Sequence, residues 1–367
     1  TVSGTYAVTA TTGGITDSDT QEIAGVTTLA AGSSNDITLN TSTNNFAAAV
    51  VITSGNNVAI TDEDAIDLGA ATVSGTYGIT AGGAVTDSGT QEITGVTTLA
   101  AGSGNDITLD TSTNNFAAAV GITSGRNVAI TDEDAIVLGA STVSGTYGIT
   151  AGGAITESGD LSITGITTLA AGSGNNITLD RAGNNFQAAV KITSGANVTL
   201  VDAGAIDLGA STVSGTYAVT ANAGGDITDS GVLAITNGST FTVAGGQSII
   251  LDQSSTFGTV AFVASSGNLK NVTINDSNAF DLSALTLAKV SSAGGNLTVT
   301  AGGAVTNSGT LVIPGTATIS ASSQAVTLND SSNDFGTAAI MGANVAVTDT
   351  NAIILGASTV SGTYGIT

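Results

Sequence analysis

The residues best suited to chemistry in this chain are two identical acid runs, Asp62-Glu63-Asp64 and Asp132-Glu133-Asp134. Three neighbouring carboxylates offer hard oxygen ligands, and the ion they would take is Ca²⁺. The matching stretches farther along are Asp202-Ala203-Gly204, Asp276-Ser277-Asn278 and Asp349-Thr350-Asn351, so only the first acid recurs. A single recurring Asp suits a turn, where its carboxylate accepts the backbone N–H two residues on. The GGxGxD nonapeptide of calcium-binding coils is absent. Solvated turn acids are therefore the favoured reading, with no cofactor expected and Ca²⁺ at Asp62, Glu63, Asp64, Asp132, Glu133 and Asp134 as the alternative.

Other chemistry has little to work with. The 367 residues include no His and no Cys, which removes the commonest general base, the commonest metal ligand and any thiolate nucleophile. A glycosidase pair needs one acid of raised pKa in a cleft, and a tandem array would copy such a pair along its length with no unique cleft. The AGGA segments lack the Lys and the helix of a phosphate loop and read as turns. The TST runs, Thr41–Thr43 and Thr111–Thr113, become Arg181-Ala182-Gly183 in a later copy, which breaks any flat threonine grid for ice. The Tyr of SGTY is either an exposed contact or a partly buried corner plug. No enzyme is expected.

Charge narrows the partners. Lys and Arg number 5 against 28 Asp and Glu, a net charge of −23. Nucleic acid and anionic membranes are bound through basic patches, so neither is an expected partner. No apolar run approaches the roughly 18 residues of a membrane helix, so no membrane insertion is expected. Thr1 already falls inside a repeat; no signal peptide is expected there, and the chain reads as an excerpt of a longer array.

The acids sit in a longer recurring stretch that sets the architecture. NVAITDEDAIDLGAATVSGTYGIT (Asn57–Thr80) returns from Asn127, from Asn197, in worn form from Asn271, and from Asn344. Its landmark is Tyr6, Tyr77, Tyr147, Tyr217 and Tyr364. This spacing predicts one continuous array of ~70-residue repeats: about 7–76, 77–146, 147–216, a degenerate 217–296, and 297–363. Each repeat divides into three segments of short β-rich pieces cornered by Gly, Ser, Asn and Asp, the strand-and-turn signature. No window shows helical i, i+3, i+4, i+7 spacing, and the NG and DG turns of hairpin meanders are scarce.

Segments of roughly 20–28 residues with about three short strands predict an all-β parallel β-helix, or β-solenoid, of about three coils per repeat. Ile107-Thr108-Leu109 and Val128-Ala129-Ile130 alternate as strands with an inner and an outer face. Fifteen or sixteen coils would rise ~70–75 Å. Identical residues of successive repeats would then lie three coils apart. Corner glycines (Gly82, Gly83, Gly95, Gly102, Gly125, Gly139) are expected to supply positive φ. NNF (Asn44–Phe46, Asn114–Phe116, Asn184–Phe186) reads as a turn and an aromatic plug. From Gly238 to Ala293 the pattern degrades, and Phe241, Phe262 and Phe280 predict a differently filled core. Pro314, the single proline, is expected outside a strand.

The weave of AGGAVTDSGT (Ala81–Thr90), AGGAVTNSGTLVIPGTATI (Ala301–Ile319), GNDITLDTSTNNF (Gly104–Phe116) and NAIILGASTVSG (Asn351–Gly362) resembles the filamentous-haemagglutinin class of giant bacterial surface proteins. The resemblance covers essentially the whole chain and implies a right-handed parallel β-helix exported through an outer-membrane secretion partner. It also implies an extracellular place on the bacterial surface as an adhesin, biofilm component or toxin-bearing stalk. Cysteine-free sequence suits a chain threaded unfolded through a pore. The family's N-terminal secretion domain is not in this sequence, so the export route is inferred. The resulting expectation is a non-catalytic rod or stalk, engaging a host or neighbouring cell through regions outside this segment. The alternative is a subunit that packs with copies of itself into a fibre or sheath, bridged by Ca²⁺.

Overall fold

The computed structural model describes residues 1–288 and 295–367; Lys289 and the end of the degenerate stretch at Ala293 lie outside them. Among the described residues the regular elements are short strands, with no helix. The chain is a parallel β-solenoid of about 17 turns, and its contacts divide it into two units, Thr1–Ala188 and Ala189–Thr367.

In the first unit, strands stack in register along two main faces. On one, Val58 lies opposite Tyr77, Tyr77 opposite Thr97, Thr97 opposite Val120, and Val120 opposite Leu138. On the other, Ile66, Val85, Ile107, Val128, Tyr147 and Thr167 follow one another. A coil crosses both faces in about 20 residues. A short third strand rounds one corner, as in Ala71 opposite Gln91 and Glu92 opposite Asn115.

This path refines the coil count. Three steps carry Tyr77 to Leu138 on the same face, and Tyr147, nine residues later, stands on the opposite face. The repeat therefore holds three and a half coils. Identical residues of successive repeats look out from opposite faces, rather than stacking three coils apart on one face as expected from sequence.

The second unit keeps the pattern. One face runs Ile206, Ile227, Ile249, Val272, Leu297, Ala317, Ala338. On the other, Val198, Tyr217 and Ser239 lead to the strand Thr259–Ala264, and a separate ladder runs from Phe280 through Val305 and Val326 to Val345.

Strand alternation sends branched residues inward. Ile107 and Leu109 are fully buried around half-buried Thr108, as are Val128 and Ile130 around Ala129. Each such side chain contributes about 1.5–3 kcal/mol on burial. Phe46, Phe116 and Phe186 fill the wide corner. In the degenerate copy Phe241 meets Tyr217 and Phe257 edge-on at 6.1 and 6.2 Å and stacks on Phe262 at 6.5 Å. That is the differently filled core the extra aromatics predict.

Two backbone expectations are corrected. Of the corner glycines singled out, only Gly102 has positive φ, at 77°. Gly82, Gly83 and Gly95 are demanded by the preceding coil: a Cβ would lie 2.0 Å from the Glu63 carbonyl oxygen at Gly82, 2.7 Å from the Ala65 nitrogen at Gly83 and 2.2 Å from the Gly75 carbonyl oxygen at Gly95. Pro314 lies inside a strand, Leu311–Ser320, at the register irregularity between Ile313 and Thr316. A bulge leaves a residue out of the ladder, which is where a missing N–H is tolerated.

Candidate functional site: the acidic turns and the wide corner

The acid run divides into one buried and two exposed carboxylates. Asp62 ends a strand with its side chain inward and is 2% exposed. Its Oδ1 accepts the Asp64 N–H at 2.9 Å, closing the turn, and its Oδ2 accepts the Phe46 N–H of the preceding coil at 3.0 Å. Asp132 repeats this with Asp134 and Phe116, both at 2.9 Å. Asp349 does so with Asn351 and Phe335, at 2.9 and 2.7 Å. Burial raises the carboxyl pKa of Asp62, Asp132 and Asp276 despite these bonds.

Glu63, Asp64, Glu133 and Asp134 are exposed. Asn45 Nδ2 donates weakly to Glu63 Oε1 at 3.3 Å and to Asp64 Oδ2 at 3.4 Å. Among the described residues no three acids converge as a metal-holding group. The expected turn-capping role of the first acid stands. Its expected solvation does not, because the carboxylate closes a bond between coils and must face inward to do so.

A second, half-buried acid escaped the sequence reading. Asp87 accepts Asn114 Nδ2 at 2.6 Å and the Asp110 N–H at 3.1 Å, while Asn114 Oδ1 accepts the Gln91 N–H at 2.9 Å. Asp17 with Asn44, Glu157 with Asn184 and Asn307 with Asn333 occupy the same places. Asn44, Asn114, Asn184 and Asn333 are fully buried. NNF thus has three jobs: its first Asn pins the coil below, its second faces outward, and its Phe fills the core with its N–H held by the coil above. Copy four substitutes Asp229 and Ser255, whose Oγ accepts the Leu233 N–H at 2.9 Å. Burial pushes the Asp229 carboxyl up to about 6.

Outside the wide corner lies a shallow groove that recurs. Thr72, Glu92 and Asn115 line one of about 210 Å³. Thr1, Glu22 and Asn45 line its counterpart of about 230 Å³, and Thr286, Val312 and Asp334 one of about 360 Å³. The TST hydroxyls make coil-to-coil pairs: Thr43 with Thr20 at 2.5 Å and Thr113 with Thr90 at 2.6 Å. Tyr77, Tyr147 and Tyr217 are fully buried, their hydroxyl pKa values raised by desolvation, so these three are core plugs. Arg126–Asp106 at 2.8 Å and Arg181–Asp160 at 2.6 Å form exposed ion pairs between coils.

No helix is long and apolar enough to cross a membrane among the described residues. No curated protein and no solved structure matches the chain. The model of one repeat family matches five times, at residues 1–53, 55–123, 125–193, 195–264 and 269–341. These segments cover most of the 367 residues, and the chain belongs to the family described as repeats of unknown function, DUF5649.

Proposed function

We propose that this chain is a structural, non-catalytic segment: an extracellular rod or stalk of a bacterial surface adhesin. The observation that supports it is where the recurrent polar side chains go. The first acid of the cluster, the Asp87-type acid and the buried Asn all hold one coil to the next. A parallel ladder in which every coil pairs with its neighbours gives stiffness that extends by adding repeats. The adhesin assignment and its surface location rest on the resemblance carried by AGGAVTDSGT and its companions. Electron microscopy of the isolated chain tests the reading: separate short rods are expected, and globular particles would overturn it.

A second reading is favoured by the half-integral coil count. The grooves beside Glu22 and Glu92, one repeat apart, come out on alternate sides in the first unit, which would place lateral contacts on both sides. In that reading copies of the chain assemble into a fibre or sheath, with Ca²⁺ bridging exposed Glu63, Asp64, Glu133 and Asp134. Long filaments or bundles on adding millimolar Ca²⁺ would favour it over the isolated stalk.

A further inference from the structure

One coil step in the second unit lacks the bonds that close the same step in other repeats. Elsewhere Val120 lies opposite Leu138 and Val190 opposite Leu208. The N–H of Gly139 donates to the Val120 carbonyl at 2.8 Å, that of Gly209 to Val190 at 2.9 Å, and that of Gly356 to Ala338 at 2.8 Å. A serine two residues on then stitches the coils. Ser141 Oγ accepts the Ile122 N–H at 3.2 Å, Ser211 Oγ that of Ile192 at 3.1 Å, and Ser358 Oγ that of Ile340 at 3.0 Å. The first copy has Ala71 there, and Ile52 pairs with it directly in the ladder.

The glycine position is tightly approached by the coil below. A Cβ would lie 2.6 Å from Val51 Cγ2 at Gly69, 3.1 Å from the Gly121 backbone at Gly139, 3.3 Å from Lys191 Cβ at Gly209 and 3.1 Å from Ala339 Cβ at Gly356. In the degenerate copy Ser283 takes the glycine's place and Leu285 the serine's. Register fixes the equivalence: Phe280 lies opposite Val305 and Leu285 opposite Leu311, as Ile136 opposite Ile155 and Ser141 opposite Leu161.

The consequence is visible in the ladder. Among the described residues, Thr259–Ala264 pairs with the coil below and has no strand partner above, and the face resumes at Phe280–Leu282. Ser283 Oγ donates to the Val260 carbonyl at 3.3 Å, in place of the glycine N–H. The Leu269–Leu287 bridge still holds the corner, with the Ala288 N–H on the Leu269 carbonyl at 2.7 Å. Phe262, opposite fully buried Phe241, is only half-buried, and Val263 is exposed.

We propose that the step from Thr259–Ala264 to Phe280–Leu282 is a built-in joint, the place where coils of this unit part first under denaturant or tension. The joint is set by Ser283 and Leu285 and is independent of which functional reading holds. Local opening follows the hydrogen bonds and packing that a region lacks.

Hydrogen exchange resolved to single amides of the 367-residue chain tests this. The Phe262 amide is expected to exchange at least about tenfold faster than the equivalent Ile192 and Ile340 amides. Equal protection at all three overturns the joint, whatever any variant does. Ser283→Gly combined with Leu285→Ser is expected to slow Phe262 exchange by a similar factor. Unchanged exchange in that folded double variant overturns the assignment to these two side chains.

Discussion

At the scale of single residues, buried polar groups here act as fasteners. Asp132, 2% exposed, accepts two backbone N–H groups, so Asp132→Ala is expected to cost about 1–3 kcal/mol in chemical denaturation, with Asp132→Asn milder. Asp229 makes a pH-dependent case. Its folded pKa, about 6, lies above the ordinary aspartate value, so the folded state holds the proton more tightly than the unfolded one. Its stability contribution is full below about pH 4 and lost as pH rises through about 6. Asp229→Asn should therefore raise the melting temperature at pH 7 and change it little at pH 4. Ser322 holds φ at 51°, where related copies have glycine (Gly32, Gly102, Gly172). Left-handed backbone costs an L-residue about 1–2 kcal/mol, and glycine's unfolded entropy returns part of it. A gain of up to about 1 kcal/mol is expected for Ser322→Gly by thermal melting. The recurring first Asp was legible as a turn cap. The Asp87–Asn114 pin was not, because its partners stand 27 residues apart and only the coil length brings them together.

At the scale of the coil, glycine governs spacing. At corners such as Gly82 and Gly95 parallel coils pack backbone against backbone, so a Cβ there meets a carbonyl rather than a movable side chain. Gly82→Ala is expected to destabilise by about 1–3 kcal/mol through forced separation. Gly104→Ala, with nothing within 4 Å of the added carbon, is the neutral control. Equal melting temperatures for the two would refute this account. Sequence located these glycines correctly and named the right physical task only at Gly102, since positive φ is a local property and close approach is not. Pro314 shows the same limit: strand exclusion follows from its missing N–H, yet a bulge removes the need for that donor.

At the scale of the whole molecule, charge and composition carry the argument. A net charge of −23 and a pI near 4.1 keep chains apart at neutral pH and withdraw that repulsion as carboxylates protonate. Light scattering is expected to rise as pH falls toward 4; a flat trace from pH 7 to 4 would show that charge does not keep the chains dispersed. Circular dichroism should be strand-dominated.

Composition, turn formers and the ~70-residue period were enough to specify a parallel β-solenoid, because alternation and corner chemistry are written locally. The half coil was not. Whether a repeat closes after three turns or three and a half depends on summed lengths of many short strands and corners, and each corner is free by a residue or two. Only stacking settles that sum, through ladders such as Tyr77–Thr97–Val120–Leu138. It is the same stacking that turns Asp62 from a surface acid into an internal bond.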